Sequence, residues 1–211
     1  MSLLREPFAD FIFHEDLEKQ LSFFVENPEH LPNAVVFWGE PGTGKTSFAK
    51  LFAETFAANT GYYPMCETKI DKDFRKTASL ERTSVSLDFS GGGYVFDTIH
   101  ILDEFHNLAP KDQDYFKTKI DALRPDDRLI VILNTLPNKP NIEQMLSPAM
   151  VSRLWSFNFN LPLSKATQHC SRIREKFPLL SEQKIYSLLP DMRQIVKAQQ
   201  MEELTRRFGS Q

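Results

Sequence analysis

The chain has 211 residues, 41% of them hydrophobic and 25% charged, so it holds one ordinary domain with a small appendage and enough apolar side chain for a buried core. A net charge of −3 excludes a globally basic nucleic-acid binder and leaves only a local basic patch for that purpose. Cys66 and Cys170 are far apart and lack metal-ligand spacing, which excludes a disulfide scaffold or cysteine metal centre and points to reduced thiols in a cytoplasm.

In Met1-Ser2-Leu3-Leu4-Arg5-Glu6-Pro7, acid and proline interrupt any secretory leader, and no apolar run nears the ~20 residues that cross a bilayer, so no membrane partner is expected. Residues 1–33 hold one amphipathic helix, with Leu17, Leu21, Phe24 and Val25 at helical spacing and Asp16 as cap. From residue 34 to 162, apolar strands alternate with helix-length stretches. The strands are Ala34–Trp38, Tyr62–Cys66, Val95–Leu102, Leu129–Leu133 and Trp155–Asn160, and the helices Thr46–Ala58, Asp71–Arg82 and Pro110–Leu123. This order predicts an α/β fold over residues 1–162, a five-stranded parallel sheet flanked by helices. Gly91-Gly92-Gly93 is followed by no helix and reads as a loop. After Leu161-Pro162 only helical stretches remain, punctuated by Pro178 and Pro190, so residues 163–211 form a small all-helical lid. The 18 phenylalanines scatter along the chain and read as core filling.

Gly39-Glu40-Pro41-Gly42-Thr43-Gly44-Lys45-Thr46 fits G-x-x-x-x-G-K-[ST] at each fixed position. It follows the first strand and opens a helix whose buried face is Phe48, Leu51, Phe52 and Phe56, which is the context the motif requires. Glycines let backbone N–H groups curl around phosphates, and the helix N-terminus adds partial positive charge. Lys45 is then placed for the β- and γ-phosphates of ATP, and the Thr46 hydroxyl for Mg²⁺. The apolar strand Ile99-His100-Ile101-Leu102 ends in Asp103-Glu104, at the carboxyl edge where open α/β sheets bind ligands. Asp103 is suited to hold Mg²⁺ through water and Glu104 to polarise an attacking water. A third strand ends in Asn134-Thr135, either of which could sense the γ-phosphate.

Together these features resemble the AAA+ ATPases, and within them the sliding-clamp loaders: replication factor C small subunits and the clamp loaders of tailed phages. Leu102-Asp103-Glu104-Phe105-His106-Asn107-Leu108 resembles the phage acidic box, and Ser152-Arg153-Leu154 before Phe157-Asn158-Phe159 resembles the Ser-Arg-Cys motif and terminal strand. Pro190-Asp191-Met192-Arg193 is similar to the lid signature carrying a second sensor arginine, and Arg5-Glu6-Pro7-Phe8 with the helix near Asp16–Phe24 to the segment around the adenine. Leu154 replaces the motif's Cys, Phe13-His14 stands where Gly-Gln is usual, and no collar of roughly a hundred residues follows within the 211 residues, so the sequence is a truncated piece, the collar is dispensed with, or the protein is a cousin with another job.

The resemblance implies that Arg153 enters a neighbouring subunit's site in trans, that Arg193 meets the γ-phosphate in cis, and that Arg5 belongs to the adenine side. It implies a homo- or hetero-oligomeric ring or spiral on primer–template DNA that loads a sliding clamp, in the cytoplasm (of a bacterial host if phage-encoded). Lys69, Lys72, Arg75, Lys76, Arg82 and Lys111 would track the DNA backbone, or form a solvated helix face balanced by Asp71, Asp73 and Glu81. A helicase loader or transposition regulator, or a nucleotide switch with negligible turnover, are the alternatives.

Overall fold

Val35-Val36-Phe37 and Leu129-Ile130-Val131-Ile132-Leu133 are apolar without alternation, the pattern of strands covered on both faces. The computed structural model describes residues 4–60, 63–69, 98–108, 110–123 and 127–208. It sets these two runs side by side as β1 (Ala34–Gly39) and β4 (Arg128–Asn134), in register from Ala34 opposite Leu129 to Gly39 opposite Asn134. With β2 (Tyr63–Lys69), β3 (Thr98–Asp103) and β5 (Trp155–Asn158) they form one sheet in the order β2-β3-β4-β1-β5. Each neighbouring pair is parallel, so the ends of β1, β3 and β4 open on one edge of the sheet. The α/β class read from the sequence is the one the chain adopts.

Alternate side chains of the central strands go to opposite faces and divide the core in two. Val35, Phe37, Ile130 and Ile132 pack with Leu17 and Leu21 of α1 (Glu15–Glu26) and with Phe48, Phe52 and Phe56 of α2 (Lys45–Thr60). Val36, Val131 and Leu133 face the other way, toward Phe116 of α3 (Pro110–Asp121), Met145 of α4 (Ile142–Met145) and Met150 of α5 (Pro148–Val151). Most of the described phenylalanines fill the core, as expected, with Phe48 5.2 to 6.4 Å, ring centre to ring centre, from Phe8, Phe11, Phe13, Phe37, Phe52 and Phe159, whereas Phe23 and Phe208 are exposed. After β5 the described chain is helical, with α6 (Ala166–Lys176), α7 (Glu182–Leu188) and α8 (Met192–Phe208) closing over Cys170, Ile173, Leu180, Ile185 and Ile195.

Boundaries move where side chains take over from the pattern. The cap of α1 is His14 rather than Asp16: His14 Nδ1 accepts from the Leu17 N–H at 3.4 Å, and the Asp16 carboxylate in the first turn pairs with Lys165 instead. β5 stops at Asn158, two residues short of the expected end, because the Asn160 N–H donates to Asn158 Oδ1 at 2.9 Å and the Glu40 N–H donates to Asn160 Oδ1 at 2.8 Å. β2 runs three residues past Cys66, to Lys69. The expected start of the third strand at Val95, the helix Asp71–Arg82 and the loop at Gly91-Gly92-Gly93 lie outside the described residues. Among the described residues no helix is long and apolar enough to cross a membrane.

Candidate nucleotide-binding site

The loop between β1 and α2 turns back on itself because its three glycines take backbone angles that side chains disfavour, and two of them also leave room for other chain. Gly39 (φ 147°) and Gly42 (φ 82°) are both of this kind. A Cβ on Gly39 would stand 2.9 Å from the Asn160 backbone nitrogen, and one on Gly42 only 2.1 Å from Asp191 Oδ1. The second contact shows how closely the C-terminal helices approach: the Met192 N–H donates to the Gly42 carbonyl at 3.0 Å.

Lys45, at the start of α2, is only 3% exposed. Its ammonium donates to the Gly39 carbonyl at 2.9 Å, the Glu40 carbonyl at 2.6 Å and Thr43 Oγ1 at 3.2 Å. Burial lowers its pKa from 10.5 to about 8, against the pull of the Asp103 and Glu104 carboxylates, so the charge persists at neutral pH. Next in the chain, the Thr46 hydroxyl donates to Asp103 Oδ2 at 3.0 Å, and Asp103 Oδ1 accepts from the Glu104 N–H at 2.8 Å. Asp103 is buried at the end of β3, which brings the acid strand and the loop into direct contact.

Glu104 leaves the strand in a left-handed conformation, φ 59° and ψ 30°. The side chain of Asn134, at the end of β4, lies 3.3 and 3.4 Å from its two carboxylate oxygens. The sequence left Asn134 and Thr135 open; the structure turns Asn134 to the cavity and buries Thr135, whose N–H donates to the Gly39 carbonyl at 3.0 Å. His106 lies 3.2 Å from Glu104 Oε2 through Nε2.

A cavity of about 720 Å³ is lined by Pro41 through Ser47, Glu104, Asn134 and Arg193, while Asp103 and His106 are not among the described residues that line it. The rest of its lining is largely apolar, with Phe11, Ile12, Phe13, Phe177, Met192 and Val196 beside Asp10 and Lys176. The sequence reading missed this apolar lining, whose one early signal was the pair Phe11 and Phe13. Arg193 is held by Asp191 through Nε and Nη2, both at 2.9 Å.

Other predicted residues lie elsewhere. Arg153 is not among the described residues lining the cavity; Asp121 grips it through Nε at 2.7 Å and Nη2 at 3.0 Å, and its Nη1 donates to the Ala149 carbonyl at 2.8 Å. Arg5 is likewise not brought to the cavity: the turn from Arg5 to Phe8 leaves it at the surface, 3.7 Å from Glu26. Lys111 lies in the first turn of α3, while Lys72, Arg75, Lys76 and Arg82 lie outside the described residues.

The chain is 25% identical over 122 residues to the Replication-associated recombination protein A of Haemophilus influenzae, a stretch covering 57% of this chain and 24% of that protein. Its fold matches the Aeropyrum pernix ORC1 protein in complex with DNA, with TM-score 0.58, 20% identity, and 98% of this chain and 64% of that one covered. It also matches the replication initiator DnaA bound to AMPPCP and single-stranded DNA, with TM-score 0.60, 19% identity, and 96% and 66% covered. The chain thus spans about a quarter of the recombination protein and just under two thirds of either structure. Residues 35–160, from β1 through the phosphate loop, Asp103-Glu104 and Asn134 to the turn after β5, match the profile of the ATPase family associated with various cellular activities (AAA). With that match over more than half of its length and Lys45, Thr46, Glu104 and Asn134 gathered around one cavity, the chain belongs to the AAA ATPases, a family of ATP-hydrolysing enzymes.

Proposed function

We propose that this AAA module binds ATP with Mg²⁺ in the cavity, hydrolyses it with Glu104 as general base, and couples the cycle to placing a sliding clamp on primer–template DNA. The observation that carries the catalytic part is the convergence on one cavity of the phosphate loop, two strand ends and α8. Lys45 and the N-terminus of α2 take the phosphates, and the apolar lining of Phe11, Ile12, Phe177 and Val196 takes the adenine. Thr46 and Asp103 present two hard oxygens 3.0 Å apart, a donor set that suits a cation needing one or two protein ligands besides phosphate and water. Bound there, Mg²⁺ would neutralise phosphate charge.

Glu104 accepts the proton of a water that attacks the γ-phosphorus in line; the new P–O bond forms as the bridging P–O bond to ADP breaks. Asn134 orients Glu104 and the water. Arg193 supplies positive charge to the γ-phosphate in cis, once freed from Asp191. Arg153 supplies it in trans to the next subunit of a homo- or hetero-oligomeric ring or spiral, with Asp121 orienting it meanwhile. In this reading residues 1–162 are the nucleotide-binding domain and 163–211 the lid, while Lys72, Arg75, Lys76, Arg82 and Lys111 follow the DNA backbone. The DNA part is supported by the relatives, one a replication-associated recombination protein and two solved with DNA.

The test is ATP turnover measured alone, with primed DNA, and with primed DNA plus a clamp. Stimulation by DNA and clamp together supports clamp loading. Full stimulation by DNA alone, with filaments forming, overturns it in favour of a helicase loader or transposition regulator. Tight ATP binding without turnover in each condition overturns the catalytic part and leaves a nucleotide switch.

A further inference from the structure

Glu104 is a long carboxylate on a backbone that has just left a strand in the left-handed region, φ 59°. Nothing in its own rotamers fixes where its oxygens point, and a base must be held to a fraction of an ångström of its water. The Asn134 amide reaches both oxygens only at 3.3 and 3.4 Å, the weak end of hydrogen bonding. The nearest side-chain partner is His106 Nε2, at 3.2 Å from Oε2.

His106 sits on a short 3₁₀ turn, Phe105–Asn107. The Asn107 N–H donates to the Glu104 carbonyl at 2.9 Å and the Leu108 N–H to the Phe105 carbonyl at 3.0 Å. Phe105 beside it is fully buried, its ring 5.0 Å from that of Phe116. The turn is therefore anchored in the second core, and the imidazole, 12% exposed, has little freedom. The other ring nitrogen settles its proton. His106 Nδ1 lies 3.3 Å from the backbone N of Asn134, which can only donate, so Nδ1 accepts and the ring proton is on Nε2, the nitrogen 3.2 Å from Glu104 Oε2. Burial lowers the pKa of His106, with Lys45 acting the same way and Glu104 and Asp103 opposing, so the neutral ring is its form near neutral pH. His106 is not among the described residues lining the cavity, where Glu104 and Asn134 are.

We propose that His106 is a positioning residue for ATP hydrolysis: its Nε2–H holds the Glu104 carboxylate while Nδ1 receives the Asn134 backbone N–H, so the two strand ends share one rigid link. The inference rests on the reading of Glu104 as the base. A movement of Asn134 on meeting the γ-phosphate then reaches Glu104 through the ring as well as through the Asn134 amide. Three replacements separate the two ends of the link. His106→Gln places an amide N–H near the Nε2 position, His106→Asn keeps only an acceptor near the Nδ1 position, and His106→Leu keeps neither.

Steady-state ATP turnover at saturating ATP, ATP affinity by fluorescent-nucleotide displacement, and melting temperature are measured for each variant. We expect His106→Leu and His106→Asn to lower kcat by about ten- to a hundredfold, with ATP affinity within about threefold of wild type. His106→Gln recovers most of kcat. Unchanged kcat in His106→Leu overturns the proposal, as does an equal loss in all three variants that follows their melting temperatures. Glu104→Gln, measured alongside, separates the two claims. If it still hydrolyses ATP, the reading of Glu104 falls and this inference with it; if it is inactive while His106→Leu is fully active, only the inference falls.

Discussion

Lys45 carries its charge into a place where charge is costly, and three oxygens of its own loop offset that cost. With a pKa of about 8, the ammonium is present at pH 7 and is lost as pH rises through 8. Phosphate needs the charged form. Nucleotide affinity should therefore be level between pH 7 and 7.5 and weaken by about tenfold per unit well above pH 8, measured by titration calorimetry. Lys45→Arg, whose guanidinium does not titrate there, should lack that alkaline decline even if it binds more weakly overall. A wild-type affinity unchanged to pH 10 would mean that the lysine does not meet the phosphates as a cation.

At the scale of elements, α1 and α6 are joined by a polar contact that the apolar pattern does not suggest. Glu18 is 1% exposed in α1, and Arg172 Nη2 of α6 donates to its Oε1 at 2.6 Å. The same carboxylate oxygen accepts from the Phe13 N–H at 3.0 Å, while Arg172 Nη1 donates to the Phe13 carbonyl at 2.8 Å. Removing one partner leaves a buried charge, so Arg172→Leu should lower stability by about 3 kcal/mol in urea unfolding. The double replacement Glu18→Leu with Arg172→Leu should be less destabilising than the sum of the single ones. Additive losses would show that the pair is not coupled. Phe48 makes the corresponding apolar case: its ring is fully buried between the rings of α2, the N-terminal segment and the sheet. Phe48→Ala should destabilise by about 3–5 kcal/mol.

At the scale of the whole molecule, the C-terminal helices meet the sheet domain across the phosphate loop. Gly42→Ala would drive a Cβ into Asp191, so α8 has to lift or the loop has to bend. Nucleotide affinity should fall by at least about tenfold, and amide exchange at the start of α8 should quicken. Asp191→Gly in the same chain should restore part of the affinity but not all, since φ 82° remains strained for alanine. No restoration would mean that the clash is not what weakens binding. Arg153 concerns the assembly. If it acts in trans, Arg153→Ala and Glu104→Gln are each inactive alone, yet a mixture contains sites with an intact Glu104 and an intact neighbouring arginine. Hydrolysis should reappear on mixing and depend on the ratio, against a loss on the order of 10³. Co-assembled mixtures no more active than their parents would remove the trans role.

The sequence by itself determined whatever is local or periodic. The phosphate loop is legible because its glycines, Lys45 and Thr46 act as neighbours in the chain, and Asp103 because an apolar strand delivers it to a sheet edge. The central strands are legible because burial on both faces removes alternation from β1 and β4. Short helices such as α4 and α5, at four residues each, are too brief for a period to register. What only the tertiary structure decided are meetings between distant residues. Asp191 against Gly42, His106 between Glu104 and Asn134, Arg153 on Asp121, and the apolar lining of the cavity, Phe11 and Val196 among it, are of this kind. Such contacts depend on how helices cross and where loops end, and a side chain reaching across the fold leaves no period or spacing in the chain that carries it.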